Sequence, residues 1–301
     1  MMKAPSYWKN YVYETDPGEI ERDIRQATFK SRGLNLSLKY FENNKDSPNI
    51  LWITGAGCHS LYLAELEYHM HFRGYNVFGV DFQGHGDSEG KRGDFAINEL
   101  VENCSDAAEY ISSNFNSRIG AIGGSLGGIV TFYLGLAHGP VKSIICQLPG
   151  ILTEKKYQDQ VTKKAKNIIP LGKLLAMLFP KVKIPTALYV DWKGLPETER
   201  ERENSEKYMR DPDIVKWYTI RAAISQISTP PPNPLHELKI PTMFLAPRRD
   251  KALSISYVRD LYDRLPPIKK RFVEVDGGHY WLVSHPVEAA KVFCDWFYET
   301  L

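Results

Sequence analysis

Short unbroken apolar runs alternate along this chain with longer stretches whose apolar residues recur every three or four positions. The first kind suits strands covered on both faces, the second amphipathic helices. Residues 27–32 and 35–42 are two short runs split by Arg32-Gly33-Leu34, which predicts a hairpin. Residues 49–54 (NILWIT) predict a strand ending in Gly55-Ala56-Gly57. Residues 61–72 place Leu61, Leu63, Leu66, Met70 and Phe72 at roughly helical spacing, with Gly74 as the stop. A strand at 76–82 follows, then the loop QGHGDSEGKRG and a helix at 97–115 with Asn103, Asp106 and Glu109 on its wet side. A strand at 118–123, a helix at 126–138 and a buried strand at 141–148 complete the first half. Strand, helix, strand in repeated succession implies right-handed crossovers and a mainly parallel sheet.

The alternation breaks near Gly150. Residues 151–234 are charged, helix-rich and interrupted by prolines. ELKIPTMFLAP then resumes the strand pattern, followed by a helix at 255–265, a strand at 270–275 and a helix at 287–301. The expected class is α/β, a mostly parallel central sheet flanked by helices. Residues 1–150 and 235–301 form its core, and 151–234 a helical cap insertion. At about 150 residues per domain, 301 residues suit two domains or one large α/β domain with an insertion.

Lys+Arg is 38 against 36 for Asp+Glu, a net charge of +2, which argues against a surface that coats nucleic acid. With 43% hydrophobic and 25% charged residues, disorder over most of the chain is excluded. Cys58, Cys104, Cys146 and Cys294 are far apart and form no CxxC pair, which reads as free thiols in a reducing compartment. The N-terminus has no apolar segment of the secretory type, and no run of about 20 apolar residues exists. A soluble cytoplasmic protein is expected.

The sharpest motif is Gly123-Gly124-Ser125-Leu126-Gly127. Alone, so short a pattern equally fits a glycine-rich turn with an incidental serine. A strand before it and a helix after it favour a G-x-S-x-G nucleophile elbow. There the chain turns so sharply that side chains two positions either side of the serine would strike neighbouring backbone. A serine nucleophile needs a base, and the base needs an orienting group. Asp250 (APRRD) and His279 (DGGHY) follow strands in the chain order serine, acid, histidine, at the strand ends where open α/β sheets place their sites. Gly277 and Gly278 suggest a tight turn that aims the imidazole. Asp276 lies too near His279 for an easy reach, and Asp263 falls within a predicted helix. Acyl transfer also needs donors for the developing oxyanion. The backbone N–H of Leu126 is one candidate and that of Ala56 the other, with Gly57 and Cys58 as alternatives to Ala56.

TGAGCHS, DFQGHGDSEGKRGDF, GGSLGG, PRRD and DGGHYWL together resemble the α/β-hydrolase superfamily, most closely its monoacylglycerol lipase and lysophospholipase branch. The resemblance covers residues 33–149 and 238–301, and the loop Gly84–Gly90 is distinctive of the branch. It implies Ser125, Asp250 and His279 as a catalytic triad, with Ala56 and Leu126 as oxyanion donors. Thr54 stands where the family usually has His, Gly124 where the elbow usually has His, and Leu126 where Met is frequent. None of these removes a backbone donor, but substrate identity stays open. The insertion has little recognisable similarity.

Within it, residues 167–190 are strongly apolar, with Lys173, Lys181 and Lys183 interspersed. Two readings stand: the roof of an acyl pocket whose basic rim touches lipid, or a cover packed inward on the sheet. ETERERENSEKYMRD predicts a charged helix with a solvated face. A lesser alternative is a carboxylate cluster that holds an amine. His69 and His71 are two apart and cannot face one ligand. Asp81, His85 and Asp87 form no recognisable metal run, and Gly84, Gly86 and Gly90 match no dinucleotide or phosphate loop. Cys58 reads as a bystander.

The expected activity is hydrolysis of carboxylic esters through an acyl-enzyme, on a small ester with an apolar acyl part. No cofactor, metal or nucleic acid is expected. Thioesterase, lactonase, peptidase or carbon–carbon hydrolase chemistry with the same triad is the alternative, as is a non-catalytic ligand-binding protein. A haloalkane-type reaction is disfavoured because the elbow carries Ser rather than Asp.

Overall fold

The computed structural model describes residues 7–162 and 169–301. Residues 1–6 of the N-terminal reading and 167–168 of the apolar stretch lie outside the described residues.

The first half builds six strands. β1 (Arg25–Ser31) and β2 (Leu34–Phe41) form an antiparallel hairpin. Arg32 and Gly33 take φ of 51° and 78°, the left-handed pair that suits a two-residue turn to strand twist. β3 (Asn49–Ile53), β4 (Asn76–Val80), β5 (Ile119–Gly124) and β6 (Ser143–Gln147) follow, and every residue in these four is buried. Two-sided burial is why they read as unbroken apolar runs. β7 (Lys183–Pro185) and β8 (Trp217–Thr219) pair with each other as a separate antiparallel ribbon. β9 (Thr242–Pro247) and β10 (Lys270–Val275) close the main sheet, in the order β1-β2-β4-β3-β5-β6-β9-β10. From β4 to β10 all neighbours are parallel.

The helices of the core are α1 (Pro17–Asp23), α2 (Ala64–His71), α3 (Ile97–Asn114) and α4 (Leu126–Leu136). The inserted segment between β6 and β9 carries α5 (Lys155–Val161), α6 (Ile169–Leu178), α7 (Glu199–Arg210) and α8 (Ile220–Ser225). α9 (Ile255–Asp263), α10 (Trp281–Ser284) and α11 (Pro286–Thr300) come last. Residues of α3, α4 and α9 share one apolar core against the sheet, and residues of α2 and α11 share the other. This is the α/β-hydrolase architecture: a mostly parallel eight-stranded sheet flanked by helices.

One expectation fails on a polar residue that turns inward. Asn103 is fully buried, not on the wet side of α3; its amide donates to Ser31 Oγ at 2.9 Å and accepts from Gln83 N–H at 3.2 Å. It lies three residues after Leu100 and four before Ala107, on the inward stripe, so helical geometry overrides its polarity. α7 presents the expected solvated face through Glu199, Arg202, Glu203, Glu206 and Arg210, but a second face turns inward. Glu201, Asn204, Ser205 and Tyr208, at i, i+3, i+4 and i+7, are buried, and each of these side chains makes at least one hydrogen bond. Glu201 closes a capping box with Thr198, Asn204 donates to Tyr62 Oη at 2.6 Å, and Ser205 Oγ donates to the Trp192 carbonyl at 3.2 Å.

α6 buries none of its residues. Gly172 and Leu175 face a cavity, while Leu174, Met177, Leu178 and Phe179 are exposed. Inward packing therefore describes one side of it only. Among the described residues no helix is long and apolar enough to cross a membrane.

Candidate active site

β5 ends at Gly124 and the chain reverses into α4 through Ser125, whose φ is 57° and ψ −121°. For a non-glycine residue this is strained backbone, held only where the surroundings over-determine it. They do so here. Ser125 N–H donates to the Gln147 carbonyl at 3.2 Å, and Ile129 N–H to the Ser125 carbonyl at 3.2 Å. A Cβ at Gly123 would strike the Gly127 carbonyl, one at Gly127 the Ile53 carbonyl, and one at Gly128 the Gln147 carbonyl. At Gly124 the obstacle is a side chain: a Cβ would lie 2.5 Å from Gln147 Oε1 and 3.0 Å from Leu282 Cδ1. Gln147 fills that space and donates Nε2–H to the His279 carbonyl at 3.3 Å.

Three far-separated side chains meet at this elbow. Ser125 Oγ–H donates to His279 Nε2 at 3.1 Å, and His279 Nδ1–H donates to Asp250 Oδ2 at 2.7 Å, with protons assigned by the network. Asp250 Oδ1 accepts the N–H groups of Ala252 and Leu253, both at 2.8 Å, so the loop after β9 spends its backbone donors on orienting this carboxylate. Burial pushes the Asp250 carboxyl up, but the facing imidazolium and these hydrogen bonds outweigh it and hold it below its ordinary value. Burial also disfavours the charged form of His279; the Asp250 charge and hydrogen bond, with a further contribution from Glu201, overcome this and raise its pKa. The rival acids are elsewhere. Asp276 is exposed and paired with Arg249, and Asp263 is exposed at the end of α9 rather than mid-helix. The tight turn expected at Gly277 and Gly278 forms, with Trp281 N–H donating to the Gly278 carbonyl at 3.2 Å and His279 at its second position, and both glycines are also required by crowding. Neither has a left-handed φ, and added Cβ atoms would lie 2.6 Å from Trp281 Cδ1 and 2.6 Å from Glu197 Cγ respectively.

The loop after β3 lies beside the elbow because Ile53 pairs with Gly123. Cys58 N–H donates to the Gly55 carbonyl at 3.2 Å, closing a four-residue turn. Gly57 takes φ 72° at its third position, as a type II turn requires. The Cys58 N–H is thereby spent, which removes it from the oxyanion candidates. Leu126 lies in the first turn of α4, where unpaired N–H groups and the helix dipole favour negative charge. Cys58 is buried and burial pushes its thiol up, which keeps it protonated.

The loop Gly84–Gly90 serves the backbone here. Buried Asp81 accepts from Ser60 N–H at 2.6 Å and Asp87 N–H at 3.0 Å, and Lys39 approaches it at 3.4 Å. A Cβ at Gly86 would strike the Asp81 carboxylate. Among the described residues no group of three or more His, Cys, Asp or Glu is placed to hold a metal ion.

Ser125 and His279 open into a cavity of about 700 Å³ between the sheet edge and the inserted segment. Its wall is mostly aliphatic, with Ile129, Leu148, Leu175, Ile184, Leu188 and Ile224 prominent. Among the described residues, the charged ones lining it besides His279 are Asp191 and Lys251, and Lys251 pairs with Glu197 at 3.0 Å. Gln147 was missed from sequence; its signal was a polar residue closing the apolar run VKSIICQL. Tyr208, which donates to the Ala56 carbonyl at 2.7 Å, gave no signal, because 152 positions separate the partners.

The family model described as "Serine aminopeptidase, S33" matches residues 45–282. No match is found among the curated proteins. Among solved structures, a monoacylglycerol lipase of Paleococcus ferrophilus superposes with a TM-score of 0.70 at 18% identity, covering 92% of this chain and 98% of that one. A soluble variant of the Saccharomyces cerevisiae monoglyceride lipase, bound to a substrate analogue, gives 0.74 at 16% identity, covering 92% and 95%. An esterase of Pyrococcus furiosus gives 0.62 at 18% identity, covering 96% of each chain. The family match spans both parts of the core and the segment between them, and the chain belongs to the serine aminopeptidase S33 family of α/β hydrolases.

Proposed function

We propose that this chain is a serine hydrolase that cleaves carboxylic esters with a substantial apolar acyl part. The observation that carries this is the continuous Ser125–His279–Asp250 hydrogen-bond relay in the wall of a mostly aliphatic cavity. A strained serine, a base within reach and a buried acid behind the base are the parts of nucleophilic acyl transfer. His279 Nε2 takes the Ser125 proton as Oγ attacks the ester carbon. Asp250 keeps the imidazole in the tautomer that accepts at Nε2 and stabilises the cation that forms. The N–H groups of Leu126 and Ala56 receive the oxyanion. His279 then protonates the departing alcohol oxygen, and water, activated by the same base, releases the acid and restores Ser125.

A cavity of this size suits a ligand with a long chain, and its aliphatic wall suits a hydrocarbon. In this scheme the inserted segment is a cap that supplies most of that wall. The amine-binding alternative is disfavoured by where the acidic side chains of α7 go. Glu201 is spent on Thr198 N–H and Glu197 N–H, and Asp191 is the one carboxylate residue in the cavity lining among the described residues. We assign the exposed outer face of α6, with Lys173 and Lys181 beside it, to contact with aggregated or lipid substrate. Sedimentation with anionic vesicles tests this, and a protein that stays in the supernatant removes it.

The central test is turnover of p-nitrophenyl butyrate and longer esters by the wild type and Ser125→Ala. The expected loss is about 10⁶-fold. Equal rates in the two proteins remove Ser125 from the chemistry.

A further inference from the structure

The turn Gly55–Cys58 contains three peptide planes, and each trans peptide fixes a C=O and the following N–H in opposite directions. The plane that carries the Ala56 N–H is held by the turn itself, because its Gly55 carbonyl accepts from Cys58 N–H at 3.2 Å. The other two planes are held from outside the core. Tyr208 Oη–H donates to the Ala56 carbonyl at 2.7 Å, and Val215 N–H donates to the Gly57 carbonyl at 2.9 Å. Both donors belong to α7 or the stretch after it. The fit is close: a Cβ at Gly57 would lie 2.6 Å from the Val215 carbonyl oxygen and 2.8 Å from Tyr208 Oη.

The C-terminal end of α7 is itself pinned to the same region. Buried Asp211 accepts from Tyr11 Oη–H at 2.8 Å, and His59 Nε2 lies 3.3 Å from the same carboxylate oxygen. The Tyr208 ring packs edge-on against Tyr62, with centroids 5.9 Å apart, and tilted on Trp192, with centroids 5.0 Å apart. A rigid aromatic support under a phenol aimed at a turn carbonyl exceeds what covering the cavity requires.

We propose that Tyr208 is a positioning residue for the oxyanion turn, so that the inserted segment and the hole form one device. This rests on Ser125 as nucleophile and Ala56 N–H as oxyanion donor. The Ala56–Gly57 plane that Tyr208 holds shares the Ala56 Cα with the donor's own plane, so when it is free to rotate the Ala56 N–H loses the fixed direction that the oxygen of the tetrahedral intermediate requires. The ester carbonyl makes weaker demands before attack, so the loss falls on the chemical step. Displacing α7 withdraws two of the three anchors together.

The test compares the wild type with Tyr208→Phe, which keeps the ring and removes one oxygen. kcat is expressed per active site titrated with a fluorophosphonate. The expected result is a kcat about ten-fold lower with KM within about two-fold, short of the ~10²–10³-fold lost when a donor is deleted outright. A trifluoromethyl ketone binds by bonding its carbon to Ser125 Oγ, whose proton passes to His279, leaving the ketone oxygen as an anion by the turn. Its inhibition constant rises about ten-fold in Tyr208→Phe, and that of an unreactive ether analogue stays constant. A merely structural tyrosine gives a lower melting temperature with kcat per titrated site and ketone affinity unchanged, and that outcome overturns the proposal. Asp211→Asn, which loosens the same turn through His59, moves both readouts in the same direction if Tyr208→Phe is recovered poorly. Activity in Ser125→Ala is a separate result: it defeats the underlying mechanism, whatever Tyr208 does.

Discussion

The carboxyl edge of the sheet and the inserted segment enclose the same cavity but are specified in different ways. At the sheet edge, backbone atoms lie so close that single positions admit one residue type. Gly123, Gly127 and Gly128 each face a carbonyl that a Cβ would strike, and Ser125 holds a positive φ. In the inserted segment the constraint is hydrophobicity and volume. Leu175, Ile184, Leu188 and Ile224 line the cavity, and none of α6 is buried. A steric constraint fixes identity, whereas an apolar wall accepts any aliphatic residue of suitable size. The difference predicts that substitutions at the edge destroy activity and those in the inserted segment retune it.

Short of removing the nucleophile itself, the largest effect is expected at Gly127. In Gly127→Ala the new methyl meets the Ile53 carbonyl and lies 2.6 Å from the Thr54 carbonyl oxygen, both in backbone that cannot rotate away. α4 must move off β3, carrying Ser125 with it. A displacement near 1 Å costs about 10²-fold in kcat, and the overpacking costs about 1–3 kcal/mol of stability. Urea unfolding and ester turnover measure the two. Gly139→Ala is the control, since its Cβ meets only Ser105 Oγ at 3.4 Å. Similar losses in both variants would show that the elbow is not specially constrained.

The same contrast explains what the sequence made legible. β3 to β6 and β9 are short, apolar and buried on both faces, so period and punctuation located them within a residue or two. The elbow was legible because strain leaves a glycine signature, and Asp250 and His279 because they follow strands that were already located. Asn103 and the inner face of α7 escape this reading, because polarity in sequence suggests exposure. A buried polar group with a partner is indistinguishable, in sequence, from a solvated one. The β7–β8 ribbon joins three-residue strands more than thirty positions apart, with no local pattern to find. Tyr208 and Ala56 meet only through tertiary packing.

A smaller, selective effect is expected in the inserted segment. Leu175 faces the cavity from α6, whose outer side is solvent, so a larger side chain there costs the fold little. Leu175→Trp fills space that the far end of an acyl chain would occupy. Each methylene denied burial forfeits about 0.8 kcal/mol, so kcat/KM for the longest esters drops about ten-fold while the butyrate ester changes less than two-fold. Turnover of a p-nitrophenyl ester series from two to sixteen carbons, with wild type and variant side by side, measures it. A uniform drop at every length would place Leu175 outside the acyl path and weaken the division between edge and inserted segment.

The smallest effect couples the two regions through charge alone. Glu201 belongs to α7, yet its charge helps raise the His279 pKa, after burial and the dominant influence of Asp250. In the proposed mechanism only neutral imidazole accepts the Ser125 proton, so kcat/KM falls as pH drops through that raised value, and the acid limb lies above the ordinary histidine value. Glu201→Gln keeps an oxygen for Glu197 N–H and Thr198 N–H, which Glu201 Oε2 accepts at 2.6 and 3.4 Å, and so retains the helix cap. It removes a negative charge that favours the imidazolium. The His279 pKa therefore falls and the acid limb of kcat/KM moves to lower pH, while the rate on the neutral plateau changes little. Initial rates from pH 4.5 to 9 at low substrate locate the limb in both proteins. A limb that stays in place, or moves upward, would mean that the inserted segment shapes the cavity without tuning the base.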